Sequence, residues 1–224
     1  MTNPQDPTIR TDTGDRGAAM LDWFRIRTRY LTIGAAIVVV AGIGYWFYTR
    51  SAQIKSARAE QSLLQAKQAV AQGNAALAQN DLQAVLRRYG NTRAGVEAAL
   101  VLAEVHYGKG EYQKGIDVLR GVVDNSAAES AVAKIHALIG DGQVQLAKPD
   151  EAAAAYQRAA DQARFDGARA YYTARKARVL MSAGKAAEAR KVWEELAAAP
   201  WAESVAPEAR VRLGELEVQQ ARRS

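Results

Sequence analysis

Residues 102–122 read LAEVHYGKGEYQKGIDVLRGV, and this stretch decides the fold. Gly110 stands at its centre, where a glycine suits the left-handed residue that ends an α-helix. Ala103 and Gly115 are small enough to let two helices approach each other closely, and Leu119 lies one turn further along the second helix. The stretch therefore predicts two short helices joined by a tight turn.

The same pattern recurs along the chain at a step of 37 residues. The turn position holds Gly73, Gly110, Ala147 and Gly184. The small position of each first helix holds Ala66, Ala103, Gly140, Ala177 and Gly214, and that of each second helix holds Ala78, Gly115, Ala152 and Ala189. The large apolar position holds Leu82, Leu119, Tyr156 and Trp193, which we expect in the core. Four stacked hairpins and a lone capping helix are predicted, with a loosened third turn because Ala147 replaces glycine.

A second feature is the uncharged segment YLTIGAAIVVVAGIGYWFY at residues 30–48. As a helix it would be roughly 28 Å long, close to the bilayer hydrocarbon core of about 30 Å. Its tyrosine and tryptophan residues lie at the ends, where such rings suit the membrane interface. A cleaved signal peptide needs small residues after the apolar run, and a buried core helix usually shows a polar stripe, but the segment has neither. The sequence therefore predicts one transmembrane helix.

The flanking residues predict the other two regions. Residues 1–29 are predicted to be a disordered, basic tail in the cytoplasm, because the first of them include two prolines and almost nothing apolar. Residues 51–222 are predicted to be a periplasmic repeat domain. Arg25, Arg27 and Arg29 directly precede the span and favour a cytoplasmic N-terminus, but basic residues also follow it. Charge alone therefore leaves the orientation open.

Composition argues against several kinds of chemistry. The chain has no cysteine, and hence no disulfide, thiolate nucleophile or lipid-bearing cysteine. Its two histidines, His106 and His136, lie far apart in sequence, and His106 is expected to be structural. No phosphate-binding glycine loop, HExxH or GxSxG motif is present. The net charge of +6 is spread along the chain rather than clustered. We therefore expect no enzyme activity, cofactor, metal, small-molecule substrate or nucleic-acid partner.

The hairpin pattern resembles the tetratricopeptide repeat, although the family's usual period is shorter by three residues. The residues at the motif's spacing in the clearest unit are Leu102, Ala103, His106, Gly110, Tyr112, Gly115, Leu119 and Val122. The resemblance implies an all-α solenoid of about four hairpins plus a C-terminal capping helix, whose first helices line a concave face. On this sequence that face maps to Glu97, Leu100, Glu104, Tyr107, Lys134, Asp141, Val144, Tyr171, Arg178 and Met181. Such a mixture suits protein binding, but it also fits side chains that merely face solvent. Trp201 is either a packing residue or an exposed anchor.

The span and the repeats together resemble the ancillary SecYEG translocon subunit family, the YfgM-like proteins. The similarity rests on GIGYWFY at residues 42–48, Ser-Ala-Arg at 56–58, and the stretch from Asn91 to Ala103. It implies a bacterial inner-membrane protein with periplasmic repeats that contact the translocon, periplasmic chaperones or emerging secreted chains. The alternative is an assembly factor for one particular membrane or cell-envelope complex.

Overall fold

The computed structural model describes residues 14–222, with side chains from residue 32 onward. Nine α-helices occupy this part of the chain: α1 Gly14–Ala71, α2 Ala75–Tyr89, α3 Arg93–Gly108, α4 Tyr112–Arg120, α5 Val132–Gln145, α6 Pro149–Asp161, α7 Asp166–Ser182, α8 Ala186–Ala198 and α9 Ala206–Ala221. Two 3₁₀ turns, Ser126–Ala128 and Pro200–Ala202, lie between helices. No strand occurs between residues 14 and 222, and the predicted all-α fold class is confirmed.

The chain divides into two units, and the boundary between Ile54 and Lys55 falls inside α1. In the first unit, the side chains from Thr32 to Tyr48 are all exposed. This part of α1 is long and apolar enough to cross a membrane, and it is the one such helix among the described residues. An exposed apolar surface of this length is typical of a helix whose partner is lipid.

The N-terminal part of α1 differs from the predicted tail. The helix begins at Gly14, so residues 14–29 are helical where we expected disorder. The reason is local, because residues 14–29 contain no proline and include several strong helix formers, such as Ala, Met, Leu and Arg. Residues 1–13 of the predicted tail lie outside the described residues. The cytoplasmic and periplasmic assignments stay predictions.

The second unit, from Lys55 onward, contains the four hairpins and terminal helix that the repeat predicts. The last part of α1 pairs with α2, α3 with α4, α5 with α6 and α7 with α8, while α9 packs on α8. The first hairpin has no separate first helix, because α1 continues to Ala71. At the predicted crossing positions, Ala66, Ala103 and Ala177 are fully buried. The small residues therefore bring the paired helices close together.

The four hairpin turns share one geometry. Each contains one residue with a positive φ: Gly73 at 73°, Gly110 at 76°, Ala147 at 55° and Gly184 at 74°. At the third turn, the N–H of Ala147 bonds to the Val144 carbonyl at 3.0 Å and the N–H of Lys148 bonds to the Gln143 carbonyl at 2.9 Å. The other three turns repeat this pair of bonds, which is a Schellman motif. The expected loosening at Ala147 is therefore wrong. The turn keeps Ala147 in the left-handed conformation, which costs an alanine about 1–2 kcal/mol more than it costs a glycine.

The large core side chains are where the repeat predicts them. Tyr156 and Trp193 are fully buried. His106 is also buried, and its Nδ1 lies 2.6 Å from Oε2 of Glu111, which fits a structural role. Trp201 is partly buried against the last core cluster, and the Arg169 guanidinium lies 4.1 Å above its ring. Trp201 is thus a packing residue.

Candidate protein-binding face

The candidate site is the surface that successive first helices share. We call it the first-helix face and define it by three positions of the 37-residue register on α1, α3, α5, α7 and α9. The first position holds Glu97, Lys134, Tyr171 and Glu208. The second, seven residues later on the same helix, holds Lys67, Glu104, Asp141, Arg178 and Glu215. The third, three residues further, holds the apolar side chains Val70, Tyr107, Val144, Met181 and Val218.

Ion pairs join neighbouring helices across this face. Lys67 on α1 bonds to Glu97 on α3. Glu104 on α3 lies 3.9 Å from Lys134 on α5. In each pair the second-position residue of one helix meets the first-position residue of the next, 30 positions later in the chain. The spacing of the repeat thus places opposite charges beside each other.

The strongest of these ion pairs joins α7 to α9. Arg178 on α7 donates two hydrogen bonds to the Glu208 carboxylate on α9, with Nε at 2.8 Å from Oε1. The hydrogen bonds from the guanidinium lower the pKa of Glu208, and those to the carboxylate raise the pKa of Arg178. A two-point contact of this kind fixes the relative position of two helices better than a single lysine contact does. We call the whole series the charge ladder.

The α5–α7 boundary breaks the pattern. Tyr171 stands where a basic residue would face Asp141, so Arg175, one turn later, supplies the charge at 2.6 Å from the Asp141 carboxylate. The Tyr156 hydroxyl donates to the same carboxylate at 2.5 Å. The Arg175 guanidinium also lies 4.7 Å from the Tyr156 ring centre and 5.8 Å from that of Tyr171. Burial, followed by the bond to Asp141, raises the pKa of Tyr156, so its hydroxyl stays a donor.

The apolar position divides into exposed and packed members. Val144 is 41% exposed, and the first-position residue Tyr171 on α7 is 48% exposed. Tyr107 is partly buried and donates its hydroxyl to the Leu138 carbonyl at 2.9 Å, and burial raises its pKa. Met181 is partly buried too, with its sulfur 3.1 Å from Nε1 of Trp193. Val144 and Tyr171 are therefore exposed enough to contact a partner, whereas Tyr107 and Met181 also make contacts that hold neighbouring helices together.

One predicted face residue is misplaced. Leu100 is only 6% exposed and packs in the core cluster that joins α3, α4 and α5, so the prediction that it lines the surface is wrong. A first helix is flanked by two neighbouring layers, and its exposed stripe is narrower than the family map implies. Glu97, Glu104 and Lys134 are exposed, as that map requires, but each is engaged in the charge ladder.

A cleft of about 420 Å³ lies between α5 and α7. Its lining residues are Asp141, Val144, Gln145, Tyr156, Arg175, Arg178 and Val179. Apolar and aromatic surface beside guanidinium groups can hold a side chain of a partner and donate hydrogen bonds to its backbone carbonyls or carboxylates. Lys67 and Glu208 could have been found by extending the register one unit each way. Arg175 gives no register signal, and Tyr156 was expected only in the core.

Between residues 32 and 222, no group of three or more histidine, cysteine, aspartate or glutamate side chains is placed to hold a metal ion. Burial, and then Arg158, lowers the pKa of His136, whose Nδ1 is buried with no hydrogen-bond partner within the described structure.

Comparison with protein families gives one consistent match. Residues 22–138 and 61–174 each match a model described as a tetratricopeptide repeat-like domain. Residues 174–222 match a second model, described as a tetratricopeptide repeat. No curated protein matches the sequence.

Solved structures show the same helical arrangement at low sequence identity. A crystal structure of the MamA protein is similar with a TM-score of 0.56 and 18% identity, over 73% of this chain and 82% of that one. BtubC from P. vanneervenii is similar with a TM-score of 0.54 and 17% identity, over 73% and 82%. A putative kinesin light chain of Podosopora anserina with nearly identical TPR-like repeats has a TM-score of 0.53 and 16% identity, over 75% and 98%. At these identities the likeness describes the fold alone.

Proposed function

The chain belongs to the tetratricopeptide repeat-like family, and from this premise we propose that it is a membrane-anchored, non-enzymatic adaptor that binds proteins through its first-helix face. The α5–α7 cleft carries the proposal. Val144 lines this cleft and is exposed, and Tyr171 is exposed near Arg175. The ion pair of Arg175 with Asp141 is completed by the Tyr156 hydroxyl. Exposed side chains on a rigid, preorganised support lose little entropy on binding.

The composition of the cleft suits a protein ligand. Tyrosine and arginine are the residue types that contribute most at protein interfaces, and Tyr171 and Arg175 are adjacent here. The charges that surround the cleft are already paired within the array. We therefore expect apolar and backbone contacts to supply most of the affinity, with charge setting the position of the bound segment.

The anchor would tether the repeats to a membrane. In the arrangement that we propose, α1 crosses a bacterial inner membrane once near residues 30–48, with the N-terminus in the cytoplasm and the repeats in the periplasm. The exposed apolar part of α1 supports the crossing. The arginines at 25, 27 and 29 and the resemblance to the YfgM-like family support the direction. The partners would then be the translocon, periplasmic chaperones or emerging secreted chains.

Site-specific photocrosslinking in membranes tests the binding proposal. A photoreactive amino acid would replace Val144 or Tyr171 in the full chain, and Lys191, exposed on the second helix α8, would be the matched control. We expect adducts with translocon, chaperone or secreted chains at the first two positions and not at the control. Equal yields at all three positions, or none, would contradict the proposal. Adducts confined to subunits of one other membrane complex would favour the assembly-factor alternative.

A topology measurement tests the anchor independently. An enzyme reporter that is active only in the periplasm would follow Ser224, and one that is active only in the cytoplasm would serve as its counterpart. We expect activity from the periplasmic reporter alone. Activity from the cytoplasmic reporter alone would overturn the orientation while leaving the binding face untouched.

A further inference from the structure

The outer side of α9 is bare where every preceding first helix is covered. In the register, Val211 and Gly214 correspond to Ala174 and Ala177 of α7, which are fully buried beneath α8. On α9, Val211 is 61% exposed, and Val218, at the register position that leaves Val144 41% exposed on α5, is 53% exposed. A Cβ built on Gly214 would meet nothing within 4 Å. The interface that joins the two helices of each hairpin therefore continues onto α9 without an occupant among the described residues.

The hairpins themselves define which helix fits this surface. Each covering helix has a small residue at the crossing and apolar residues four and seven positions later. In α6 these are Ala152, Tyr156 and Ala159, and in α8 they are Ala189, Trp193 and Leu196. α9 carries the same series as Gly214, Val218 and Ala221. It thus has the pattern of a covering helix as well as that of a covered one, so a second α9 matches the bare surface.

The charges on α9 select one orientation. Arg210 and Glu217 are seven residues, or two turns, apart on the same side of the helix, and Gly214 lies between them. Two α9 helices that cross antiparallel at Gly214 bring Arg210 of one copy beside Glu217 of the other, and the reverse pair forms by symmetry. Glu217 is mainly exposed and has one long contact, 3.9 Å to Arg190. A parallel arrangement would set like charges beside each other.

We propose that α9 is a self-association surface, which pairs antiparallel with α9 of a second copy of this chain about Gly214. The contact is isologous, so it closes at two copies. A single pair of 16-residue helices buries less surface than the roughly 1,200–2,000 Å² of a stable interface. The association is therefore weak in dilute solution and depends on the high local concentration that a shared membrane provides.

Energy transfer between full-length chains in vesicles tests the pairing. The protein contains no cysteine, so Ser204→Cys, in the exposed loop before α9, gives a unique labelling site. Donor- and acceptor-labelled chains would be mixed in phosphatidylcholine vesicles at a fixed protein-to-lipid ratio. We expect transfer above that of an unrelated single-span protein at the same density. Transfer at that background level would overturn the proposal and leave the α9 surface to a helix of another protein.

Charge reversal distinguishes α9 pairing from association through the span. Arg210→Glu alone and Glu217→Arg alone each create two like-charge contacts, and we expect about a tenfold lower association constant for either. A mixture of the two single variants restores both pairs and should restore transfer. Lys191→Glu on α8 is the matched control and should change nothing, whereas Gly214→Leu should block the crossing. Unchanged transfer in the single variants, or no recovery in the mixture, would overturn the proposal; circular dichroism checks that each variant is folded.

Discussion

The Arg175 guanidinium contacts the Asp141 carboxylate at 2.6 Å, and this ion pair joins α5 to α7 where the repeat pattern alone would leave Asp141 facing Tyr171. The presence of Tyr171 at the ladder position that is basic in α5, where it is Lys134, has two effects. It moves the positive charge one turn along α7, and it leaves an aromatic ring 48% exposed beside the cleft. The exposed aromatic side chain and the Arg175–Asp141 pair therefore both follow from the presence of Tyr171 at the position of a basic residue.

Arg175→Gln should lower the free energy of unfolding by about 1–2 kcal/mol, because it leaves a half-buried Asp141 carboxylate with the Tyr156 hydroxyl as its remaining neutral partner. Lys67→Gln is the matched control. Its pair with Glu97 is about half exposed, so we expect a loss of at most about 0.5–1 kcal/mol. Chemical denaturation of the full chain in detergent measures both. Equal losses would show that the Arg175–Asp141 pair contributes no more to stability than the exposed Lys67–Glu97 pair does.

Ala147→Gly should stabilise the protein by about 0.5–1 kcal/mol. Glycine removes the cost of a left-handed alanine, and part of this gain is offset by the greater entropy of the unfolded chain. Gly110→Ala makes the reverse change at an equivalent turn with open space around it, and should destabilise by about 1 kcal/mol. Gly108→Ala, in the helix just before that turn, is the control and should be neutral or slightly stabilising. The denaturation midpoints of the three variants measure these changes in stability. A lower midpoint for Ala147→Gly than for the native chain would contradict the prediction.

The sequence predicts the array well because a 37-residue step constrains several positions at once. The turn at Ala147 keeps its geometry since the two bonds that define it come from the backbone, which the repeat preserves even where the side chain changes. The register also contains the charge ladder, because Glu104 and Lys134 pair in the same way as Lys67 and Glu97.

Side chains that depart from the register are the ones that the sequence does not place. Arg175 acts from a position that carries no charge in most other units, so only the geometry of α7 reveals its contact with Asp141. Leu100 stands at a position that the family resemblance assigns to the concave surface, but its apolar side chain is buried in the core. The predicted span ends at residue 48 and the predicted repeat domain begins at 51, yet α1 continues through both, because the polar residues that follow the span contain no helix breaker.

Gly140→Ala should cost about 1–3 kcal/mol, because the added Cβ would lie 2.7–2.9 Å from three atoms of the Tyr156 ring. The ring is fully buried and its hydroxyl is bonded to Asp141, so it has little freedom to move away. Gly167→Ala, near the start of α7 with nothing within 4 Å of the new methyl group, is the matched control and should not destabilise. A small cost at Gly140 would mean that the hairpin crossing can open. Thermal unfolding followed by circular dichroism compares the two variants.

Glu111 should make the repeat domain sensitive to acid. Its carboxylate accepts hydrogen bonds from Lys114 at 2.7 Å and from the buried His106 at 2.6 Å, and these bonds, with the Lys114 contribution the larger, lower its pKa to about 2. Because the pKa is about 4.5 in the unfolded chain, the stabilisation is complete above that pH and is lost as the pH falls towards 2. The difference in melting temperature between the native chain and Glu111→Gln should therefore shrink as the pH is lowered from 5 to 3. Glu194→Gln, a change at an exposed residue of α8, is the control and should show a nearly constant difference. A Glu111→Gln difference that stays constant over the same range would mean that the ionised Glu111 carboxylate does not stabilise the folded chain.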